Sequence, residues 1–220
     1  MPVSVAWDDA YFAWSDGAAE TREVFLGGNG LPARFADRPT FSIGELGFGS
    51  GLNCAVTADA WQAWRKHVNA KSTLTFTSFE IAPMSPDDLR RALARWPELL
   101  RTMEPVIAQW PPRDNHLSVE IVPGMTATVI VGDASRSVPD WDGEVDAWYL
   151  DGFSPSKNPE LWELDLMRSI HDQTAVGGTF STYTAAGWVR RNLGAAGFDV
   201  QRVPGFDNKR ERLQGIKTSA

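Results

Sequence analysis

A glycine-rich turn lies between a short apolar run and an amphipathic segment in residues 41–68. From position 45 the sequence is Glu-Leu-Gly-Phe-Gly-Ser-Gly-Leu-Asn, so that Gly47, Gly49 and Gly51 alternate with other residues. This order predicts a strand, a tight turn and a helix. Glycine lets the backbone bend sharply and lets a ligand approach closely, and the first amides of the helix have no partner within it. The turn is therefore predicted to bind a ligand.

The spacing of the glycines argues against two common ligands. The dinucleotide fingerprint G-x-G-x-x-G/A does not fit, because its third position falls on Leu52 when counted from Gly47 and on Cys54 when counted from Gly49. A phosphate-binding Walker loop needs Gly-Lys-Ser/Thr, and no lysine lies near. The carboxylate of Glu45 would repel a pyrophosphate and attract a cation. S-adenosylmethionine has a sulfonium, an ammonium and no phosphate, so it fits a turn that carries this carboxylate. The alternative is a purely structural turn that makes a sharp corner and binds no ligand.

Three more carboxylates stand at the ends of predicted strands. Glu80 closes an alternating β-rich run, and Asp133 and Asp151 each follow another apolar run. In open α/β sheets the carboxyl ends of the strands border the ligand crevice, so Asp151 is the best catalytic candidate. Glu80 is placed to accept hydrogen bonds from both ribose hydroxyls of a nucleoside, the alternative being a surface glutamate. Asp133, taken alone, is more typical of a turn.

The elements that must position these side chains alternate between strand and helix. Such alternation predicts an α/β fold, with a mostly parallel sheet covered by helices on both faces. Ser85 followed by Pro86 is typical of a helix start, and the helical stretch is expected to run through Trp110 with breaks near Pro97 and Pro105. The predicted strands after the glycine-rich turn are 73–80, 117–122, 126–131, 145–150, 178–184, 198–203 and 210–216.

The length of 220 residues suits one structural domain, and no linker divides the chain. Residues 1–40 are predicted to form an N-terminal extension packed on the sheet, with short strands in the stretch 7–17. Asn29 lies in a loop rich in glycine and is most simply a turn residue, with ligand binding as the alternative. Asn158 precedes Pro159, so a helix cap is enough to explain it.

Composition and charge argue against several classes of protein. The formal net charge of −7 is unfavourable for a nucleic-acid partner, although residues 188–220 hold seven basic and three acidic side chains. This basic end suits a local phosphate contact and a solvated surface equally. The single cysteine, Cys54, excludes an internal disulfide and suits a reducing cytosol. The sequence lacks an export signal, a run of membrane-spanning length and histidines at metal-ligand spacing, so we expect a cytoplasmic protein without a metal.

Four stretches carry a further signal: ELGFGSGLN at 45–53, DGFSPSKNP at 151–159, TAAG at 184–187 with VRR at 189–191, and GFDNKRE at 205–211. Together with residues 12–17 and 24–29 they resemble the methyltransferase part of the MnmC family of bacterial tRNA wobble-uridine enzymes, and its stand-alone form MnmD. The similarity covers almost the whole chain. It implies that residues 41–220 form a Rossmann-like, S-adenosylmethionine-dependent methyltransferase domain.

The resemblance also implies a substrate and a reaction. The chain would transfer a methyl group to the amine of 5-aminomethyluridine, or its 2-thio form, at the wobble position of a tRNA anticodon loop. Asp151 would orient this amine and accept or relay its proton, and Phe153 would stack on the uracil or pack its own loop. The residues that would contact phosphates or close over the site are Lys157, Lys209 and Arg210.

The cofactor site implied by the resemblance includes the glycine-rich turn and the acidic strand ends. Asp133 would meet the adenine amino group. The implied cofactor-binding residues are Asn29, Glu45, Gly47, Gly49, Gly51, Asn53, Glu80 and Asp133.

Bifunctional members of this family continue into an FAD-dependent oxidase that first removes a carboxymethyl group. No second glycine fingerprint for FAD occurs in this sequence, so we expect no FAD here and an oxidase in a separate protein or in another part of a longer one. Two alternatives stay open. The chain could methylate a small-molecule amine, as its acidic balance allows, or it could be a cofactor-binding subunit without activity.

Overall fold

The structure is a computed structural model that describes residues 3–4, 9–10, 16–68 and 71–219. In this part of the chain an eight-stranded sheet is flanked by helices. Its strands are β3 (Thr40–Leu46), β4 (Thr73–Glu80), β5 (His116–Val122), β6 (Met125–Val131), β7 (Val145–Leu150), β8 (Thr174–Thr182), β9 (Asp199–Pro204) and β10 (Glu211–Ile216). The helices are α1 (Gly17–Glu20), α2 (Leu52–Arg65), α3 (Pro86–Leu93), α4 (Pro97–Ile107), α5 (Ala134–Asp140), α6 (Leu164–Asp172) and α7 (Gly187–Ala196).

The strand order in the sheet is β5-β6-β4-β3-β7-β8-β10-β9. From β6 to β8 all neighbours are parallel, whereas β5 and β10 run antiparallel to the strands beside them. The chain leaves β3 for β4 on one side and later returns to β7 on the other. Ligands in open α/β sheets bind outside the carboxyl ends of the strands at such a reversal. The predicted α/β fold with a mostly parallel sheet is confirmed.

The two strands at this reversal are held in a fixed register. Leu46 of β3 lies opposite Leu150 of β7, so the two loops that follow start side by side. Further back, Gly44 lies opposite Trp148, and a Cβ on this glycine would come within 2.6 Å of the Trp148 ring. The absence of a side chain at position 44 thus makes room for the indole. This packing sets the register of β3 against β7.

Both faces of the sheet are buried. All six residues of β7 are buried, as in a parallel strand that is covered on both sides. Successive side chains point to opposite faces: Tyr149 packs in the hydrophobic cluster that contains Trp61 of α2, and Trp148 in the cluster that contains Met167 of α6.

The N-terminal segment is helical where it joins the sheet. After α1 come a π-helical stretch, Thr21–Leu26, and a 3-10 turn, Gly27–Asn29. Phe25 is buried, and the carbonyl of Val24 accepts a hydrogen bond of 2.6 Å from the Ser181 hydroxyl of β8. This segment therefore packs on the main sheet.

The strands predicted in residues 7–17 lie mostly outside the described residues. Of that stretch, residues 9–10 form β2 (Asp9–Ala10), which pairs with β1 (Val3–Ser4) in a separate two-stranded sheet. Gly17 belongs to α1 and not to a strand.

Two predictions about the helices before β5 have different outcomes. Ser85 caps α3 as predicted, since its Oγ accepts a hydrogen bond of 3.2 Å from the Asp88 amide. The break at Pro97 is also confirmed. The break near Pro105 is wrong, because this proline lies inside α4. It sits in the last turn, where the buried Val106 and Ile107 hold the helix against the core despite the lost amide.

Candidate active site

A cavity of about 740 Å³ lies at the carboxyl ends of β3, β4, β6 and β7. This volume is within the range of about 300–1,000 Å³ that is usual for small-molecule sites. The lining residues are 47–50, 52–53, 79–81, 132–134, 151–154, 158, 160–161, 183 and 206–209, together with Gly17, Glu20, Thr21 and Phe25. The predicted strand ends therefore meet at one site.

The glycine-rich turn is pressed against the loop that follows β7. Gly47 has a φ of +87°, and a Cβ at this position would come within 2.9 Å of the carbonyl oxygen of Asp151. The Gly47 amide donates to the carbonyl of Phe79 at 2.9 Å, which ties the turn to the end of β4. Gly51 is the N-cap of α2 and brings no capping side chain. The turn thus presents backbone to the cavity at close range.

Asn53 joins two of the predicted carboxyl groups. Its Nδ2 donates to Oε1 of Glu45 at 2.9 Å and to Oδ2 of Asp151 at 2.7 Å. Its Oδ1 accepts a hydrogen bond of 2.7 Å from the hydroxyl of Thr21 in the N-terminal segment. Asn53 lines the cavity, but its side chain is engaged by the protein. It is therefore placed to orient Asp151.

Glu45 lies behind the cavity wall. Its side chain is fully buried, and it is not among the lining residues. Burial raises the pKa of Glu45 to about 8, even though the hydrogen bond from Asn53 acts to lower this pKa. Burial thus favours the protonated form of this carboxyl. Glu45 is linked to the cavity lining by its hydrogen bond with Asn53, and its role in cofactor binding stays a prediction.

The carboxyl group of Asp151 faces the cavity, and two other acidic residues, Glu45 and Glu20, act on it electrostatically. Burial raises the pKa of Asp151 well above its usual range, and the charges of Glu45 and Glu20 raise it further. The hydrogen bond from Asn53 and the ammonium of Lys209 oppose this shift. A cation that enters the cavity would lower the pKa of Asp151. The cavity is thus suited to a positively charged ligand.

The acidic ends of β4 and β6 also line the cavity. Glu80 is almost fully buried, and its carboxylate accepts hydrogen bonds from the amides of Gly49 at 2.9 Å and Ala82 at 2.7 Å. Each carboxylate oxygen has a second lone pair, so a ligand hydroxyl can still bind. Asp133 is exposed, and its Oδ1 caps α5 by accepting from the Ser135 amide at 2.9 Å. Both side chains border the space left for a nucleoside.

The loop after β7 is held by two aromatic residues. The hydroxyl of Tyr183 donates to the carbonyl of Gly152 at 2.7 Å, and Nε1 of Trp162 donates to the carbonyl of Phe153 at 3.0 Å. The Phe153 ring is half-buried and lines the cavity. Asn158 lines it too, and its side chain makes no capping hydrogen bond, so the predicted cap does not explain this residue.

Five predicted site residues do not line the cavity: Glu45, Gly51, Asn29, Lys157 and Arg210. Asn29 is buried, and its Nδ2 donates to the carbonyls of Phe25 at 2.9 Å and Trp148 at 3.2 Å. It ties the N-terminal segment to β7, and its role in cofactor binding stays a prediction. Lys157 and Arg210 are exposed and lie outside the lining residues, whereas Lys209 is one of them.

Several cavity-lining residues were missed from the sequence, among them Glu20 and Tyr183. Neither of these two has a distinctive spacing in the sequence. The signal that could have found them is weak: both lie beside stretches that carry the family resemblance. Part of the basic C-terminal end has a structural role, since Arg212 and Lys217 are buried. Arg212 donates to the Ser181 hydroxyl, and Lys217 donates to the carbonyl of His171.

Within residues 16–68 and 71–219, no group of three or more His, Cys, Asp and Glu side chains is arranged to hold a metal ion. No helix in the part of the chain that the structure describes has the length and apolar character needed to cross a bilayer. The need for a metal stays a matter of prediction.

Comparison with known sequences identifies close relatives. A family described as S-adenosyl-L-methionine-dependent methyltransferase matches residues 97–218, more than half of the chain. The tRNA 5-methylaminomethyl-2-thiouridine biosynthesis bifunctional protein MnmC of Caulobacter vibrioides is 44% identical over 216 residues, which cover 97% of this chain and 36% of that protein. MnmC of Pseudomonas fluorescens is 42% identical over 219 residues, with coverage of 97% and 33%. The chain thus spans about a third of the length of these relatives.

Comparison with solved structures supports the same fold. The crystal structure of MNMC2 from Aquifex aeolicus matches with a TM-score of 0.72 and 24% identity, covering 99% of this chain and 67% of that one. At this identity the match is evidence of fold alone. The Rossmann-like fold and the resemblance to MnmC, both predicted from the sequence, are confirmed. The chain therefore belongs to the S-adenosyl-L-methionine-dependent methyltransferases.

Proposed function

We propose that this chain transfers a methyl group from S-adenosylmethionine to the amine of 5-aminomethyluridine, or its 2-thio form, at the tRNA wobble position. The observation that carries the proposal is the Asp151 carboxyl, which faces the cavity at the end of β7 and is fixed there by Asn53. The relatives support the substrate, because their name includes a product with a methylated amine, 5-methylaminomethyl-2-thiouridine.

The residues around the glycine-rich turn fit the cofactor. Bound S-adenosylmethionine would supply the methyl group. The backbone at Gly47 would lie against it, Glu80 would accept hydrogen bonds from its ribose hydroxyls, and Asp133 would meet its adenine. The acidic surroundings of Asp151 favour a ligand that carries a sulfonium and an ammonium. A pyrophosphate would be repelled at the same place.

Asp151 is the group that handles the proton of the substrate amine. An alkylammonium with a pKa near about 10.4, the value for lysine, is mostly protonated at neutral pH, and only the neutral amine attacks. Asp151 would take this proton and orient the amine in line with the methyl group. A carboxylate alone would favour the ammonium, whereas burial among aromatic rings such as Phe153 favours the neutral amine.

The substrate would reach the cavity from the single-stranded anticodon loop, so little unpairing is needed. Phe153 would stack on the uracil face. Lys157 and Arg210, exposed beside the cavity, would contact phosphates, and Lys209 lies closer to the reacting group. Removal of the carboxymethyl group would fall to an FAD-dependent oxidase, in a separate protein or in another part of a longer one.

A labelling experiment tests this function. The protein is incubated with methyl-labelled S-adenosylmethionine and tRNA from cells that lack the modification and carry aminomethyluridine. Label is expected at the wobble nucleoside, and Asp151→Asn should lower turnover about a hundredfold or more while S-adenosylhomocysteine still binds. Folded protein that binds the cofactor and leaves this tRNA unlabelled would refute the tRNA function. Labelling of free aminomethyl compounds without tRNA would favour the small-molecule alternative.

A further inference from the structure

The ammonium group of Lys209 is held in the cavity by two residues from distant parts of the chain. Its Nζ lies 2.8 Å from Oε1 of Glu20 and 4.3 Å from the centroid of the Tyr183 ring. All three residues line the cavity. A carboxylate and an aromatic face are two groups that proteins use to bind ammonium ions.

The two groups that hold the ammonium are fixed, whereas the ammonium is not. Glu20 ends α1, and its side chain is 10% exposed. The ring of Tyr183 is anchored by the hydrogen bond from its hydroxyl to Gly152. Lys209 stands on the turn between β9 and β10, and its side chain is 44% exposed on a flexible stem. The lysine can therefore leave while its two partners stay in place.

The position of this ammonium is next to the proposed reacting group. The Lys209 ammonium opposes the upward shift in the pKa of Asp151, and the Glu20 carboxylate adds to that shift. Both groups thus act on Asp151 electrostatically. An ammonium carried by a ligand at this place would act on Asp151 in the same way as the lysine does.

We propose that Glu20 and Tyr183 form a subsite for the primary ammonium group of a ligand, and that Lys209 fills it until the ligand displaces it. This inference rests on the proposed function, because both proposed ligands carry such a group. One is the amino-acid part of S-adenosylmethionine, and the other is the aminomethyl group of the substrate uridine. The Lys209 side chain is then an internal competitor for the subsite.

If Lys209 competes with the ligand, substitutions of Glu20 and of Lys209 should have opposite effects on binding of the ammonium ligand. Glu20→Gln removes the charge that holds the ligand ammonium and should weaken binding about tenfold or more, the usual effect of losing a charge-assisted hydrogen bond. Lys209→Met removes the competitor and should strengthen binding several-fold. An ion pair that only stabilises the fold would not give opposite signs. A lysine that contacts phosphate would not affect ligands without phosphate.

The first arm of the test examines the cofactor. Calorimetry compares S-adenosylhomocysteine with its deamino analogue, which keeps the carboxylate and lacks only the amine. If the subsite holds the cofactor ammonium, Glu20→Gln weakens and Lys209→Met strengthens binding of S-adenosylhomocysteine, and neither variant changes binding of the analogue.

The second arm examines the substrate. With S-adenosylhomocysteine saturating, 5-aminomethyluridine and 5-methyluridine are titrated as free nucleosides, which carry no phosphate. If the subsite holds the substrate ammonium, the same two opposite effects appear for the aminomethyl nucleoside alone. Either arm with opposite signs supports the subsite and identifies its ligand.

The controls are a second ion pair and a second lysine, both remote from the cavity. Glu144→Gln breaks the exposed pair with Arg38 at the amino end of β7, and Lys66→Met alters an exposed lysine after α2. Both should bind all four ligands as the wild type does. If Glu20→Gln does not fold, Lys209→Met alone decides by the direction of its effect.

Unchanged or weakened binding of both amine ligands to Lys209→Met would overturn the subsite. The proposed function stands or falls separately. Wild-type protein that methylates tRNA while neither arm responds would refute the subsite alone. Opposite signs in the cofactor arm without methylation of tRNA would support the subsite and refute the tRNA substrate.

Discussion

Gly47 and Asp151 meet backbone to backbone, because a Cβ at position 47 would lie 2.9 Å from the Asp151 carbonyl oxygen. This contact joins the turn that would bind the cofactor to the loop that carries the proposed proton acceptor. The Asp151 amide also donates to the Leu46 carbonyl at 3.2 Å, so the two loops pack directly against each other.

Gly47→Ala should therefore impair both stability and binding. Its positive φ of +87° and the close carbonyl both penalise a side chain, at a cost of about 1–3 kcal/mol in the free energy of unfolding. Denaturant unfolding and calorimetry with S-adenosylhomocysteine measure the two effects. The matched control is Gly194→Ala in α7, where a Cβ meets nothing within 4 Å and should be neutral or stabilising. A Gly47→Ala protein with wild-type stability and affinity would contradict this account.

Asn53→Ala should slow turnover more than it weakens binding of the cofactor. The change removes the donor shared by Glu45 and Asp151, so the proposed proton acceptor loses its orientation. The loss of two hydrogen bonds to nearly buried carboxyls should cost about 1–3 kcal/mol of stability. Single-turnover rates and S-adenosylhomocysteine affinity, measured on the same preparation, separate the two effects. An unchanged single-turnover rate would show that Asn53 does not position Asp151.

Glu80→Gln tests the ribose contact. Glu80 also accepts from the Gly49 amide, so weaker binding by itself would not separate a ligand contact from a support of the turn. The 2′-deoxy analogue of S-adenosylhomocysteine separates them. If Glu80 binds the 2′-hydroxyl, the substitution should weaken binding of S-adenosylhomocysteine about tenfold. It should weaken binding of the deoxy analogue much less. Equal weakening of both ligands would assign Glu80 to the turn alone.

The raised pKa of Glu45 predicts how stability depends on pH. Between about pH 4.5 and pH 8 the unfolded chain loses a proton that folded Glu45 keeps, so the ligand-free protein becomes less stable as pH rises. The slope from this group is at most about 1.4 kcal/mol per pH unit. Asp151, whose pKa is also raised, contributes in the same direction.

Glu45→Gln isolates the contribution of this carboxyl. Urea unfolding at several pH values should give a flatter profile for the variant than for the wild type, by about one proton across the window. The gain in relative stability should be largest near pH 8 and vanish at low pH. Parallel profiles for the two proteins would show that Glu45 is not protonated in the folded state.

Binding of a cation should release protons from the same cluster. S-adenosylmethionine differs from S-adenosylhomocysteine by its sulfonium charge, which would lower the raised pKa values of Asp151 and Glu45. Calorimetry at neutral pH in two buffers of different ionisation enthalpy measures the protons released. More should be released with S-adenosylmethionine than with S-adenosylhomocysteine. Equal release would place the sulfonium away from these acids.

The sequence predicted those parts of the fold and site that depend on local pattern. Glu80 and Asp151 were found because strand ends are readable from apolar runs, and Ser85 because a cap is a short-range signal. The contact between Glu20 and Lys209 joins residues 189 positions apart, and no local spacing encodes it. Likewise, the burial of Glu45 follows from packing around β3, which its neighbours in sequence do not reveal. The fold was thus more predictable than the chemistry of the cavity.

The interior packing between β3 and β7 has an evolutionary consequence. It consists of the pairing of Leu46 with Leu150 and of the space that Gly44 leaves for the Trp148 ring. The alignment of the reacting loops depends on buried residues that lie outside the cavity lining. Drift at those interior positions would misalign the loops even if every residue of the cavity stayed the same, so inactive homologues could arise with an intact set of site residues.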